Sequence, residues 1–193
     1  MSRSCHRVVP VLLLFAALIS GQEDRSNQIP AEWTWYSNAD SAPASVRFTD
    51  INLESTSPLR FSVLAVMNTD AYEKGWWWWY GVDEATLRAY LARDNSRIVD
   101  LDVYVQNGQR RIAAALVSNT GADQKSWWWV HDQTLSAVLA LTQQLQARLV
   151  VLRSYTSGTQ TLYSAVMTLN SGADGKAWWY GVNQSPDGIQ KLL

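Results

Sequence analysis

Between Arg97 and Val105 the chain alternates: Val99, Leu101, Val103 and Val105 fall on one side of an extended backbone, with Asp100 and Asp102 on the other. That period of two predicts a half-buried strand. Gln106-Asn107-Gly108-Gln109 follows, and Asn-Gly predicts a tight hairpin because both residues tolerate positive φ. Arg110 to Val117 is then the returning strand. Ser118 to Asp123 has loop chemistry and leads through Lys125 into three consecutive tryptophans. Beyond them Leu135, Val138, Leu139, Thr142 and Leu145 recur at helical spacing, with Asp132 placed as N-cap.

The same order of patterns occurs twice more. Strands are predicted over Arg47–Leu53 and Leu59–Met67, around Ser57-Pro58, and over Arg148–Thr156 and Gln160–Leu169, around Ser157-Gly158. The first helix takes Asp83 as cap and Leu87, Tyr90 and Leu91 as its stripe. The third takes Ser185 as cap, Pro186 at its first position and Ile189, Leu192 and Leu193 as its stripe. Lys74-Gly75-Trp76, Lys125-Ser126-Trp127 and Lys176-Ala177-Trp178 begin 51 residues apart, as do Asn68, Asn119 and Asn170. Phe61, Ile112 and Tyr163 keep the same interval. A period near fifty predicts repeat architecture. Leu135 lies three residues ahead of the place that Leu87 and Ile189 define, which reads as residues lost between tryptophans and helix in the second copy.

These elements predict an α+β fold: three tandem β-hairpin-plus-helix repeats (46–96, 97–147 and 148–193) forming a continuous, half-barrel-like antiparallel sheet with helices on one face. Residues 22–45, with Trp33, Trp35 and Tyr36, read as a linker and N-terminal cap. Ahead of them, Arg3 and Arg7 precede the apolar run Val8–Ile19 and the small residues Ser20 and Gly21, so residues 1–21 read as an export signal. An uncleaved anchor is the alternative. The last helix ends on Leu192-Leu193, which suggests a truncated product or a helix end that docks.

Composition narrows the function classes. The 193 residues carry a formal charge of −1, which becomes −3 once Arg3 and Arg7 leave with the signal, and scattered cations give nucleic acid no stripe to follow. Cys5 is the sole cysteine and lies in the signal, so a processed chain has neither a disulfide nor a cysteine metal site. No cofactor or metal is expected, and no membrane association after signal cleavage.

Eleven tryptophans are the outstanding excess, nine of them in the three runs. Burying one indole is worth about 4–6 kcal/mol as an upper bound, from 150–250 Å² at ~25 cal/mol/Å². Packing between repeats is one role for them. The other is an aromatic platform for sugar rings or extended peptide, because consecutive indoles cannot all face one way. Trp77, Trp128 and Trp179, with Lys74, Lys125 and Lys176 beside them, are the candidate contacts. Asp123 and Asp174 suit turn formation better than calcium, and Asp100 and Asp102 suit a solvated strand face. His131, the one histidine outside the signal, adjoins Asp132, but no Gly-x-Ser-x-Gly elbow accompanies it and no catalytic constellation emerges.

The stretch from Tyr104 to Ala114, followed by an aromatic segment and a short helix, resembles the bacterial tandem repeat that also forms the N-terminal part of secreted polyglycine hydrolases. Arg148 to Tyr155 and Gln160 to Ala165 match the same frame, and the similarity spans roughly residues 46–193. The runs of tryptophan depart from that family, as does the lack of a Gly-Tyr opening before the hairpin. The hydrolase domain of that family is not represented, since no serine here has a lysine three residues later. The resemblance implies an accessory module and transfers no catalytic residue. The expected function is a secreted, periplasmic or extracellular, non-catalytic module that binds cell-wall glycan, peptide or protein. The alternative is an accessory or truncated portion of a polyglycine-hydrolase-type serine hydrolase, with that hydrolase domain as partner.

Overall fold

The computed structural model describes residues 33–37, 39, 42–43, 45–70, 73–185 and 188. Residues 1–21, read from the sequence as an export signal, and Ile189, Leu192 and Leu193, expected as the stripe of a third helix, lie outside them. Among the described residues nine strands and two α-helices are laid down in order: β1 Trp33–Tyr36, β2 Val46–Thr56, β3 Leu59–Met67, β4 Trp76–Val82, α1 Glu84–Arg93, β5 Ser96–Gln106, β6 Gln109–Ser118, β7 Trp127–Gln133, α2 Leu135–Gln144, β8 Ala147–Ser157 and β9 Gln160–Leu169. No described helix is long and apolar enough to cross a membrane.

The hairpins form where alternation and turn chemistry place them. Asn107 (φ 51°) and Gly108 (φ 73°) make the left-handed pair that joins β5 to β6. The tryptophan runs, which the sequence reading placed in an aromatic loop between the returning strand and the helix, are strands in two of three cases. Each pairs with the hairpin that follows it: Trp76 faces Val117 in the ladder and Trp127 faces Thr168. Trp33–Tyr36, expected in a cap, does the same with β3, Trp33 facing Val66.

The nine strands are not one continuous sheet. They are three antiparallel sheets with one strand order, β1-β3-β2, β4-β6-β5 and β7-β9-β8. Side chains explain why neighbouring hairpins do not zip together. The Asp100 carboxylate accepts from the Ile51 N–H at 2.6 Å, and Asp102 accepts from the Leu53 N–H at 2.9 Å. From β8, Arg153 donates to Leu101 O at 2.9 Å and to Ile51 O at 3.0 Å. At Ile51 and Leu53 the free edge of β2 is thus met by side chains rather than by a further strand. Asp100, expected in solvent, is buried for this reason.

The helices keep the interval of 51 after all. Asp83 caps α1 by accepting from Thr86 N–H, and Thr134 caps α2 by accepting from Ala137 N–H. Leu87 and Val138, both fully buried, stand 51 residues apart as matching anchors, so no loss of residues ahead of α2 is needed. Asp132 is not the cap. It sits at φ 56°, matching Gly81 (φ 70°) and Asn183 (φ 55°), where each aromatic run turns out of line.

Candidate functional site

Strand geometry sends alternate indoles to opposite faces, and here both faces are covered. Trp76 and Trp78 lie on the first sheet, their rings 5.3 and 4.9 Å from Phe48. Trp77 and Trp79 join Leu87 and Leu91 of α1 on the other side. The next run repeats this one layer on. Trp127 and Trp129 pack against the second sheet, while Trp128 and Val130 join Val138, Leu149 and Met167. Trp129 is buried and its Nε1 donates to Ser164 Oγ at 3.0 Å. Of the candidate contacts, Trp77 and Trp128 are therefore half-buried in seams between layers.

Trp179 differs. Trp178 packs on the third sheet, but Trp179 is 56% and Tyr180 44% exposed. Among the described residues, no strand pairs with 178–182. The segment forms one wall of an open groove of about 440 Å³, whose other wall is Leu149 to Leu152, Ser154, Thr161 and Tyr163. This wall includes the outer edge of β8. The groove thus combines an unpaired strand edge with two available aromatic rings.

The lysines serve the layers. Asn68 Oδ1 accepts from the Lys74 N–H at 3.0 Å while its amide donates to Lys74 O at 3.1 Å. Asn119 grips Lys125 and Asn170 grips Lys176 in the same way. The recurring asparagine therefore fixes the backbone entering each tryptophan run. The Lys74 ammonium pairs with Asp123, ahead of β7, and Lys125 lies 3.9 Å from Asp174. Asp123 and Asp174 close short 3₁₀ turns, and no metal-binding group of acids, histidines and cysteines occurs among the described residues.

A polar cluster at the second seam escaped the sequence reading. His131 Nε2 lies 2.8 Å from Glu84 and 3.2 Å from Asp132, and Nδ1 lies 3.1 Å from the Tyr155 hydroxyl. Arg110 clasps Asp132 with bonds of 2.6 and 2.9 Å. Tyr155 accepts from Asp132 N–H at 2.8 Å and donates to its carboxylate at 2.7 Å. Burial and that carboxylate push the Tyr155 phenol up to about 12. Burial acts to raise Asp132, but the bonds from Tyr155 and Arg110 outweigh it and hold its pKa below the usual value. Both ring nitrogens of His131 are engaged, and no serine, threonine or cysteine stands at the imidazole in these bonds. The cluster joins α1 and β6 to β7 and β8. Its signal in the sequence was the interval: Tyr104 and Gly81 precede Tyr155 and Asp132 by 51, and Tyr104 likewise accepts from Gly81 N–H at 2.9 Å.

Buried arginines were missed as well. Arg47, Arg97 and Arg148 open the three hairpins and are all buried. Arg148 donates to Leu169 O, Asn170 Oδ1 and Asp174 O, at 3.0 to 3.3 Å. No protein-family model matches this chain, and neither a curated protein nor a solved structure does.

Proposed function

We propose that this chain is an exported, non-catalytic stack of tandem repeats that binds an extended polypeptide in the groove beside Trp179. The observation that carries the reading is the exposed pair Trp179 and Tyr180 facing the outer edge of β8. A strand edge offers main-chain hydrogen bonds and aromatic walls offer apolar contact, which is the chemistry of β-strand addition. A glycan ligand would draw on the rings alone. The repeat unit in this reading is a tryptophan strand, a helix and a hairpin. Each unit's tryptophans seal it to the layer before, and the cell-envelope or extracellular location follows from the N-terminal pattern.

The test is a fluorescence titration of the purified chain against extended peptides and against cell-wall glycans. Peptide binding that shifts tryptophan emission, and is lost in Trp179→Ala while Trp77→Phe retains it, supports the reading. Glycan binding alone, or no binding by either class, refutes it.

A further inference from the structure

The two ends of the described stack are complementary. Within it, each later layer presents a hairpin to the layer before, and side chains from the first strand of that hairpin reach the earlier edge. At the first seam Asp100 and Asp102 accept from Ile51 and Leu53 N–H. In the third sheet, ladder register puts Leu152 and Ser154 in the places of Ile51 and Leu53, and both line the groove. The first sheet supplies the matching acceptor surface. Asp50 and Asn52 hold in β2 the places of Asp100 and Asp102, as their pairing with Leu64 and Ser62 shows. The Asp50 carboxylate is about half exposed.

The tryptophan strand fits the same scheme. Trp33, Trp76 and Trp127 face Val66, Val117 and Thr168, positions spaced by 51. Trp178 continues the series. Beside β3, the described residues fill this slot with the four residues of β1 and, past them, Ala39, whose N–H donates to Phe61 O at 2.9 Å, where β4 and β7 run for seven residues. Trp35, in the place of Trp78 and Trp129, is 63% exposed because among the described residues no layer precedes it.

We propose that the groove receives the β2–β3 hairpin of a second copy of this chain, with Trp178 to Val182 displacing the second copy's own Trp33–Tyr36 from beside its β3. Asp50 and Asn52 of the second copy then accept from Leu152 and Ser154 N–H. The contact is head-to-tail, so each chain keeps one groove and one hairpin free for further copies. This inference rests on the reading that the groove binds an extended strand and names the strand's source.

Sedimentation of the full chain over a concentration series is expected to show dimers and larger species. Trp179→Ala disables the groove and Asp50→Ala the hairpin. Each is expected to weaken association, Trp179→Ala by about 30-fold as a central aromatic anchor. Mixing the two variants restores one intact contact, so the mixture forms dimers and stops there. Circular dichroism of each variant confirms that it is folded. Register is tested in a Cys5→Ser background by mixing Trp179→Cys with Ala65→Cys, residues that the scheme places directly opposite one another at disulfide distance. A cross-linked dimer is expected, and none with Leu116→Cys, whose matching slot Trp77 already fills. A chain that stays monomeric, a mixture that fails to dimerise, or equal cross-linking to Leu116→Cys overturns the proposal. If the monomeric chain still binds extended peptide in the groove, the functional reading stands without this partner. If neither occurs, both fall.

Discussion

Trp77 and Trp179 hold corresponding places in two tryptophan runs, yet one is sealed and the other open. Trp77 has Leu116 opposite it in β6, with Leu87 and Leu91 of α1 in the same apolar cluster. Trp179 has no strand opposite it among the described residues and is more than half exposed. The residue type and the incoming backbone, gripped by an asparagine in both cases, are the same. What differs is the hairpin laid against the run. A tryptophan run here is thus a seam in waiting: covered, it glues layers; uncovered, it is a surface. Aromatic richness alone would have marked all three runs as binding platforms.

The largest effect that would break this contrast is expected at the closed seam. Trp129→Ala removes a buried indole together with its bond to Ser164 and should cost about 3–5 kcal/mol. Urea denaturation measures it. A loss under about 1 kcal/mol, the range of surface substitutions, would mean that the seams are not where the stability lies.

Asp100 comes next, because it holds the first seam through its edge rather than its faces. Asp100→Ala strands Arg153 and the Ile51 N–H and should cost about 3 kcal/mol. The residue also gives the seam a pH signature. Burial raises its carboxyl from 3.8 to about 7, against the pull of Arg153. An acid whose folded pKa is raised favours folding while protonated, so its contribution is full below about 3.8 and falls as pH rises through about 7. Stability measured from pH 4 to 8 should therefore contain a declining component that Asp100→Asn removes. An unchanged slope in that variant would locate the titration elsewhere.

A smaller effect is expected where the runs begin. Asn119→Ala removes both bonds to the Lys125 backbone and should cost about 1–2 kcal/mol, since the two peptide groups lose their partners. Asn170→Ala makes the same change ahead of the open run. If the contrast is sound, it costs less, because no layer rests on Trp179.

How much of this could be read from the chain follows from the range of each force. The hairpins were legible because alternation and an Asn-Gly turn are local, and β3 and β9 have the predicted limits. The pairing of each tryptophan run was not, since a strand carries no mark saying whether its partner lies before or after it. Reading the runs as loops hid β1 too: its interval to β4 is 43 rather than 51, and among the described residues no helix intervenes between β1 and β2. The false gap in the second copy came from choosing Leu135 as anchor. Leu135 is only half-buried, and Val138 fills the place of Leu87. Asp100 looked solvated because alternation assigns a face, whereas its carboxylate serves an edge. The candidate lysines were found for the wrong reason: their backbones recur because asparagines hold them.

The smallest effect expected is on stability at Trp179, and it is the sharpest test of the contrast. Exposed on one side and unpaired along its backbone within a single chain, this indole holds no layer in place, so at concentrations where the chain is monomeric Trp179→Ala should alter unfolding free energy by no more than about 0.5 kcal/mol. Trp77→Ala, the same change in the sealed run, should cost several times as much, because it opens a cavity against Leu87 and Leu91. Emission spectra give a second readout. Removing Trp179 takes away the most water-exposed described indole of the three runs, so the remaining emission should move to shorter wavelength, whereas removing Trp77 should leave its maximum nearly in place. Equal stability losses at the two positions would mean that something already covers Trp179 in solution. The sedimentation series then distinguishes a second copy from the chain's own residues as the cover, since only the former depends on concentration.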